Sequence, residues 1–153
     1  MINPTGKGVR GHDRYGSGAY AATRTTAGKP RLHGGIDFVA EPGQLVVAPM
    51  AGRVAREARP YGQRVTPCNT GVWIESDERE STLVKLFYCR PLPDIIGQWV
   101  EAGDTVATAV SLQDIYNGIT DHVHAEVWVA GRRVDPVPYF ADGTLHVEEV
   151  QRA

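Results

Sequence analysis

The sequence predicts an all-β protein, formed by a single antiparallel β-sandwich or barrel-like domain. Short apolar runs follow one another along most of the chain, and glycine and proline (17 and 10 of the 153 residues) separate them as turn residues do. Residues 121–129 also alternate between apolar and polar side chains at the two-residue period of a strand. The length of the chain suits one domain with a sizeable core.

Strands are predicted from residue 31 onward, wherever an apolar run is bounded by turn residues. The predicted strands are residues 36–40, 45–48, 53–57, 71–75, 83–90, 99–100, 105–107, 121–129 and 132–134. Between the third and fourth of these, a stretch rich in turn residues predicts a long loop at residues 60–69. Short helical turns are predicted at residues 112–116 and 136–140.

The two ends of the chain differ from this β pattern. Residues 1–30 are rich in Gly, Ser, Thr and Arg and contain no hydrophobic period long enough for a helix or a strand. We predict that they form an N-terminal wrap, held on the sheet by side-chain contacts. Residues 31–140 would form the β domain, and residues 141–153 a polar tail.

Composition and charge exclude several classes of function. With 16 basic and 18 acidic residues the net charge is −2. The chain therefore lacks the excess of basic residues that would indicate a nucleic-acid partner. The sequence also contains neither a basic amphipathic helix nor a long apolar run, the two patterns that would indicate binding to a membrane or insertion into one. Residues 1–8 lack the apolar region of a signal peptide, so we expect synthesis in the cytoplasm without a secretory signal. Cys68 and Cys89 are expected to be free, buried thiols.

The strand at residues 121–129 carries the first candidate functional residues. One face consists of Val123, Ala125, Val127 and Val129, and the other of His122, His124, Glu126 and Trp128. At a rise of about 3.3 Å per residue, the two histidines stand roughly 7 Å apart on one rigid face. They can both address one metal ion and its water. The alternative is an ordinary strand whose polar face meets solvent.

A second cluster stands at the entry to the first predicted strand. His33 and Asp37 form an H-x-x-x-D motif, and Gly34 and Gly35 between them let the backbone bend so that both side chains converge. A carboxylate and two imidazoles are suitable ligands for Zn²⁺. Three protein ligands leave a fourth tetrahedral position for water, as in catalytic zinc sites. The alternative is a loop histidine and a turn-capping aspartate.

These motifs resemble those of the lysostaphin/LytM-type, or β-lytic, zinc endopeptidases, which cut peptide bonds in bacterial peptidoglycan. The resemblance covers roughly residues 31–138 and includes the segments at residues 42–43, 47–49, 51–54 and 97–104. It implies that His33, Asp37 and His124 hold one zinc ion and that His122 stands beside it. Glu126 receives no catalytic role and is expected to support the site or to be solvated.

A closer resemblance points to one branch of that family. The segments at residues 14–20, 59–61, 85–88 and 120–124 resemble the branch of leukocyte cell-derived chemotaxin 2, which is secreted, binds zinc and is regarded as lacking peptidase activity. The disulfides of that branch are not reproduced here.

The sequence departs from the active enzymes at one position. Active members carry a further His in a Tyr-x-His motif, but the corresponding segment here reads Phe87-Tyr88-Cys89-Arg90. By strand alternation Tyr88 and Arg90 share a face, so either or both could replace the missing group. Loss of one donor to a developing oxyanion typically slows a reaction about a hundred- to a thousandfold. Weakened or altered hydrolysis is therefore expected.

We therefore predict a zinc-dependent endopeptidase that acts on peptidoglycan peptides, of bacterial or phage type. Without a signal peptide, such a hydrolase suits a phage or tail-like particle, or release to the cell wall. Two alternatives remain open. One is a catalytically impaired zinc-binding module that recognises peptidoglycan or a protein partner. The other is a structural subunit of a phage tail-like assembly with a vestigial site.

Overall fold

The structure is a computed structural model that describes residues 1–26, 28–78, 81–140 and 145–148. Within these residues the chain forms fourteen strands and one short 3₁₀ helix at Val137–Tyr139. The strands are β1 (Val9–Arg10), β2 (Thr23–Thr26), β3 (Lys29–Leu32), β4 (Ile36–Val39), β5 (Leu45–Val47), β6 (Gly52–Ala58), β7 (Gly71–Glu75), β8 (Thr82–Phe87), β9 (Cys89–Pro91), β10 (Trp99–Val100), β11 (Thr105–Ala109), β12 (His122–Val129), β13 (Arg132–Val134) and β14 (Val147–Glu148).

Two sheets and a hairpin contain these strands. The large sheet has the order β10-β6-β7-β8-β12-β4-β1-β14, with β13 paired to β12 as its ninth strand. The small sheet has the order β5-β11-β9, and β2 and β3 form a separate two-stranded hairpin. Apart from the parallel pair β1–β14, the pairings in the described part of the chain are antiparallel. The predicted all-β antiparallel class is therefore confirmed.

The two sheets share one hydrophobic core. Phe38, Leu86 and Val123 of the large sheet and Val46 and Val106 of the small sheet belong to the same cluster, and each is fully buried. They occupy the apolar positions of the two-residue period in their strands. Burial of each such side chain stabilises the fold by about 1.5–3 kcal/mol. This core fixes the strands that carry the site described below.

The N-terminal residues depart from the prediction that they contain no strand. Val9 pairs with Phe38 of β4 and, on its other side, with Val147 of β14, so β1 is part of the large sheet. A strand of two residues is too short to produce a readable period, which is why the sequence does not reveal it. The β2–β3 hairpin lacks an alternating apolar face, since all four residues of β3 are exposed.

A second departure occurs at residues 83–90, where one predicted strand is in fact two. Tyr88 separates β8 of the large sheet from β9 of the small sheet and has a φ of 66°. Its N–H donates to Thr70 O at 2.9 Å, and its carbonyl accepts from Val110 N–H at 3.1 Å. A bulky residue in this left-handed region costs on the order of 1–3 kcal/mol, which the surrounding structure must offset. The bend at Tyr88 is what turns the chain from one sheet into the other.

The remaining sequence predictions concern short elements. Residues 136–140 contain the 3₁₀ helix, and Tyr116 N–H donates to Leu112 O at 2.9 Å in a hydrogen-bonded turn. Cys68 and Cys89 are free and buried, as predicted. Of the predicted polar tail, residues 141–144 and 149–153 lie outside the described residues. In the described part of the chain, no helix has the length and hydropathy that a membrane crossing requires.

Candidate metal centre

The register between β4 and β12 brings the two predicted motifs together. Asp37 lies directly opposite His124 in this antiparallel pair, and His33 precedes β4 by three residues. His124 Nδ1 is 2.8 Å and His33 Nε2 is 3.1 Å from Asp37 Oδ1. The two ring nitrogens are 3.1 Å apart. These three side chains, which were predicted as metal ligands, therefore converge on one buried point.

Oxygen atoms on the outer sides of the two rings favour tautomers that can hold a cation at this point. His33 Nδ1 lies 3.0 Å from Ala19 O, and His124 Nε2 lies 2.9 Å from Glu126 Oε2. Neutral imidazoles that donate to these oxygens present unprotonated His33 Nε2 and His124 Nδ1 to each other and to the Asp37 carboxylate. In these tautomers three acceptors face one another without a proton between them, and a cation at their centre would offset the repulsion. The donor set of two nitrogens and one oxygen is one that Zn²⁺ accepts.

Close packing holds the rings in these orientations. The Phe87 ring stacks on the His124 imidazole, with centroids 4.2 Å apart and planes 18° from parallel. Gly35 allows the approach of β12, because a Cβ there would overlap the His124 ring and the Ala125 carbonyl. The glycine of the H-x-x-x-D motif thus leaves room for the ligand on the neighbouring strand.

The second oxygen of Asp37 faces a buried arginine that the sequence did not reveal. Arg10 Nη2 and Nε donate to Asp37 Oδ2 at 3.1 Å and 3.3 Å, and Arg10 is only 1% exposed. Burial opposes ionisation of Asp37, but its interactions with the surrounding histidines outweigh burial and hold its pKa well below the usual range. Arg10 and the histidines thus enclose a permanently ionised carboxylate.

His122 stands beside the three candidate ligands without joining them. Its Nδ1 lies 2.7 Å from Thr120 O, and its Nε2 lies 3.4 Å from Asp37 Oδ2. Burial, the largest cause, lowers the pKa of His122, which therefore stays neutral at neutral pH. If Nδ1–H donates to Thr120 O, the unprotonated Nε2 faces the centre of the site. This nitrogen can accept a proton from a group bound there.

Glu126 supports the site rather than lying in solvent. Its side chain is buried, and it accepts hydrogen bonds from His124 Nε2 and from Trp128 Nε1, both at 2.9 Å. Burial opposes its ionisation, but the hydrogen bond to His124 outweighs that effect and lowers the pKa of Glu126 to about 2. The polar face of β12 is therefore covered, and the alternative of an ordinary solvated face is excluded.

Tyr88 lies on the wall of the site as part of a cluster of three tyrosines. Its hydroxyl is 2.5 Å from that of Tyr61, which is 2.6 Å from that of Tyr116. The Tyr88 ring meets the His122 ring edge-on, with centroids 5.3 Å apart. Burial is the largest cause of the raised pKa of both Tyr88 and Tyr61, so both remain protonated donors. The sequence indicated Tyr88 but not its two partners, which come from separate segments.

A buried asparagine positions the loop that carries Tyr61. Asn69 Oδ1 accepts from Tyr61 N–H at 2.8 Å, and its Nδ2 donates to Gly62 O and Arg64 O at 3.0 Å and 2.8 Å. These bonds tie together both halves of the loop predicted at residues 60–69. The Tyr61 hydroxyl therefore has a fixed place above Tyr88.

Arg90 does not reach the site, and its predicted role there is wrong. It is exposed on β9 of the small sheet and is not among the residues that line the cavity. The prediction relied on alternation along one continuous strand. The positive φ of Tyr88 interrupts that alternation, so Tyr88 and Arg90 do not share a face.

A cavity of about 1020 Å³ gives access to the centre. Its wall includes His33, Asp37, His122, His124 and Tyr88, so the five predicted site residues other than Arg90 meet in one place. The N-terminal residues from Arg10 to Gly16 complete the wall, and His12 lies exposed at this boundary. His146 does not line the cavity.

Comparisons with known proteins agree with this geometry. Residues 31–136 match the model of peptidase family M23. Leukocyte cell-derived chemotaxin-2 of Mus musculus is 33% identical over 118 residues, which are 77% of this chain and 72% of that protein. The match therefore extends over most of both chains.

Two solved structures share the fold. LytU superposes with a TM-score of 0.60 at 22% identity, covering 79% of this chain and 80% of that one. The antimicrobial peptidase lysostaphin from Staphylococcus simulans gives a TM-score of 0.57 at 20% identity, covering 74% of this chain and 49% of that one. At these identities the likeness establishes the fold alone. Together with the matched family model, it shows that the chain belongs to peptidase family M23.

Proposed function

We propose that the protein is a zinc-dependent endopeptidase that cleaves peptides of peptidoglycan. The observation that carries the proposal is the convergence of His33 Nε2, Asp37 Oδ1 and His124 Nδ1. His122 Nε2 lies beside them, 3.4 Å from Asp37 Oδ2. Three protein ligands beside an open cavity are typical of catalytic zinc, whereas structural zinc usually has four protein ligands.

Zinc and the residues around it would have separate roles in the reaction. When bound, zinc supplies Lewis acidity, which polarises a peptide carbonyl and makes water more acidic. His122 Nε2 accepts the proton of the attacking water, because burial keeps the ring neutral and Nδ1 is held by Thr120 O. Arg10 holds Asp37 in position through two hydrogen bonds to Oδ2.

Tyr88 supplies the donor that active relatives obtain from a further histidine. Its phenol remains protonated at neutral pH and lies beside His122. A phenolic O–H can donate to the oxygen on which negative charge develops. Unlike an imidazolium, it brings no positive charge, so we expect slower hydrolysis than an enzyme with histidine in this place would give.

The test uses zinc-loaded protein, purified peptidoglycan and mass spectrometry of the released fragments. New peptide ends are expected from the wild type, none from His122→Ala, and about a hundred- to a thousandfold fewer from Tyr88→Phe. Arg90→Ala is the matched control and should cleave like the wild type, since Arg90 lies outside the cavity. Equal cleavage by wild type and His122→Ala would contradict the proposed role of His122.

A second candidate function is a zinc-binding module that recognises peptidoglycan or a protein without cutting it. The specific observation in its favour is Tyr88 in place of the usual histidine, together with the similarity to chemotaxin-2. Full zinc occupancy with retention on peptidoglycan and no new peptide ends would select this function. Association with a phage or tail-like particle, and synthesis without a signal peptide, stay predictions from the sequence.

A further inference from the structure

The entrance of the cavity concentrates positive charge. Besides the buried Arg10, its lining contains five basic side chains, Arg14, Arg24, Arg31, Lys85 and Arg133. Three acidic residues, Asp13, Asp37 and Glu126, stand among the lining residues. The 153 residues together have a net charge of −2, so this excess of positive charge is a local property of the cavity.

Those three carboxylates are already engaged inside the site. Asp13 pairs with Arg10 Nη1 at 2.8 Å, and Asp37 faces Arg10 and the histidines. Glu126 accepts from His124 and Trp128, while Arg133 Nη1 approaches it only to 3.6 Å. Arg24 Nη2 also lies 3.8 Å from Asp37 Oδ2. Six basic side chains against three carboxylates nevertheless leave an excess of positive charge in the lining.

The β2–β3 hairpin places two of these charges against each other. Arg24 and Arg31 are direct cross-strand partners, and like charges in this arrangement destabilise a hairpin. Burial is the largest cause of the lowered pKa of Arg24. Attraction to Asp37 opposes the shift, and repulsion from Arg10 and Arg31 adds to it. An anion bound between the two guanidinium groups would relieve this repulsion. Residues whose arrangement lowers the stability of the fold, such as two like charges placed opposite each other, are frequently found at functional sites.

Basic residues line both sides of the cavity. Arg24 and Arg31 come from the N-terminal hairpin, whereas Lys85 and Arg133 come from β8 and β13 of the large sheet. Arg133 covers Gly34, because a Cβ at that glycine would overlap its guanidinium group. Lys85 lies over the rings of Trp73 and Phe87. Basic groups thus flank the candidate metal centre along a cavity whose wall also has the aromatic surfaces of Tyr15, Tyr61 and Trp128.

We propose that this cavity binds peptides that carry carboxylate groups on either side of the candidate metal centre, with Arg24, Arg31, Lys85 and Arg133 as the residues that determine this selectivity. Guanidinium groups bind carboxylates through paired hydrogen bonds, and the aromatic wall suits the backbone of a peptide. Where it concerns the bond to be cut, this inference rests on the proposed peptidase function. Where it concerns binding, it stands independently.

Binding is tested with zinc-loaded protein and two rhodamine-labelled pentapeptides, Gly-Glu-Gly-Glu-Gly and its glutamine counterpart, by fluorescence anisotropy. The glutamate peptide should bind at least about tenfold more tightly than the glutamine peptide, because charge-assisted hydrogen bonds are stronger than neutral ones. Arg31→Glu and Arg133→Glu, made separately, should each reduce this preference. Arg90→Glu, an exposed arginine outside the cavity, should leave it unchanged.

Two binding results would overturn the inference. One is equal affinity of the wild type for both peptides. The other is displacement of the glutamate peptide by a short oligothymidylate at lower concentration than by the unlabelled glutamate peptide, which would assign the cavity to phosphate polymers. Circular dichroism of both variants checks that they fold, and having two variants on separate strands keeps the test informative if one does not.

Cleavage separates this inference from the proposed function. Native peptidoglycan and peptidoglycan with its carboxyl groups converted to amides are digested side by side. Faster cleavage of the native polymer supports both proposals. Equal cleavage of the two keeps the peptidase and overturns the carboxylate selectivity. No cleavage of either, with selective binding of the glutamate peptide, overturns the peptidase and keeps the selectivity.

Discussion

Glu126 Oε2 lies 2.9 Å from His124 Nε2, on the opposite side of the ring from the Nδ1 that faces Asp37 at 2.8 Å. This arrangement orients the imidazole and fixes which nitrogen is available as a ligand. Trp128 holds the other oxygen of Glu126, so the carboxylate itself cannot rotate freely. The strand that provides His124 thus also provides the residues that orient it.

We expect Glu126→Gln to weaken zinc binding by about ten- to a hundredfold, because the carboxylate that strengthens His124 as a ligand is lost. Competition with a fluorescent chelator measures the affinity without reference to catalysis. Glu75→Gln is the matched control, since Glu75 is exposed at the end of β7. Unchanged affinity in Glu126→Gln would show that Phe87 and the strand alone orient the ring.

Arg10→Met should destabilise the metal-free protein by about 3–5 kcal/mol, since it leaves the carboxylates of Asp13 and Asp37 without their buried partner. Urea denaturation followed by tryptophan fluorescence measures the change. The exposed Arg53 gives the control Arg53→Met, for which a change within about 0.5 kcal/mol is expected. Comparable losses in the two variants would argue against a special role for Arg10.

Tyr61→Phe should lower kcat by up to about tenfold, since it removes the hydroxyl that bonds to both Tyr88 and Tyr116. Zinc affinity should not change, because the Tyr61 hydroxyl bonds to Tyr88 and Tyr116 and not to a candidate ligand. Steady-state cleavage of a soluble peptidoglycan fragment, paired with metal analysis, checks both points. A fall in zinc content would instead indicate that the cluster supports the metal centre.

Asp13 should make stability depend on acid pH. Burial opposes its ionisation, but hydrogen bonds from Thr120 N–H, Arg10 and Tyr15 N–H outweigh burial and lower its pKa below the ordinary 3.8. A lowered pKa in the folded state contributes stability that is complete above about pH 3.8 and is lost as the pH falls through the folded value. Asp13→Asn should therefore destabilise the metal-free protein at pH 6, and this difference should shrink towards pH 2. Urea denaturation at both pH values checks it, and a constant difference would contradict the assignment.

The sequence predicted those parts of the fold and the site that depend on local pattern. Alternation along residues 121–129 predicted β12, and the spacing of His33 and Asp37, together with the family resemblance, indicated the ligands that the structure brings together. Arg10 has no such signal, because a buried ion pair formed by an irregular segment leaves no period in the sequence. The tyrosine cluster joins three segments, which no local pattern can relate.

The prediction for Arg90 failed because of a single backbone angle, the φ of Tyr88. Alternation holds only while the chain continues in one strand, and the left-handed conformation of Tyr88 ends that strand after Phe87. Positive φ angles are expected at glycine, so the tyrosine at position 88 did not indicate that the strand ends there. The residue that made the prediction fail for Arg90 is the same one that places its own phenol beside His122.

The pairing of Asp37 with His124 also has a consequence for how the chain folds. The two residues are 87 positions apart, and they meet only when β4 and β12 have found their register. Contacts between such distant segments carry a high entropy of loop closure and slow the search for the native state. Zinc binding by the assembled ligand set would therefore report that this pairing has formed, and stopped-flow detection of zinc binding would follow that step of refolding.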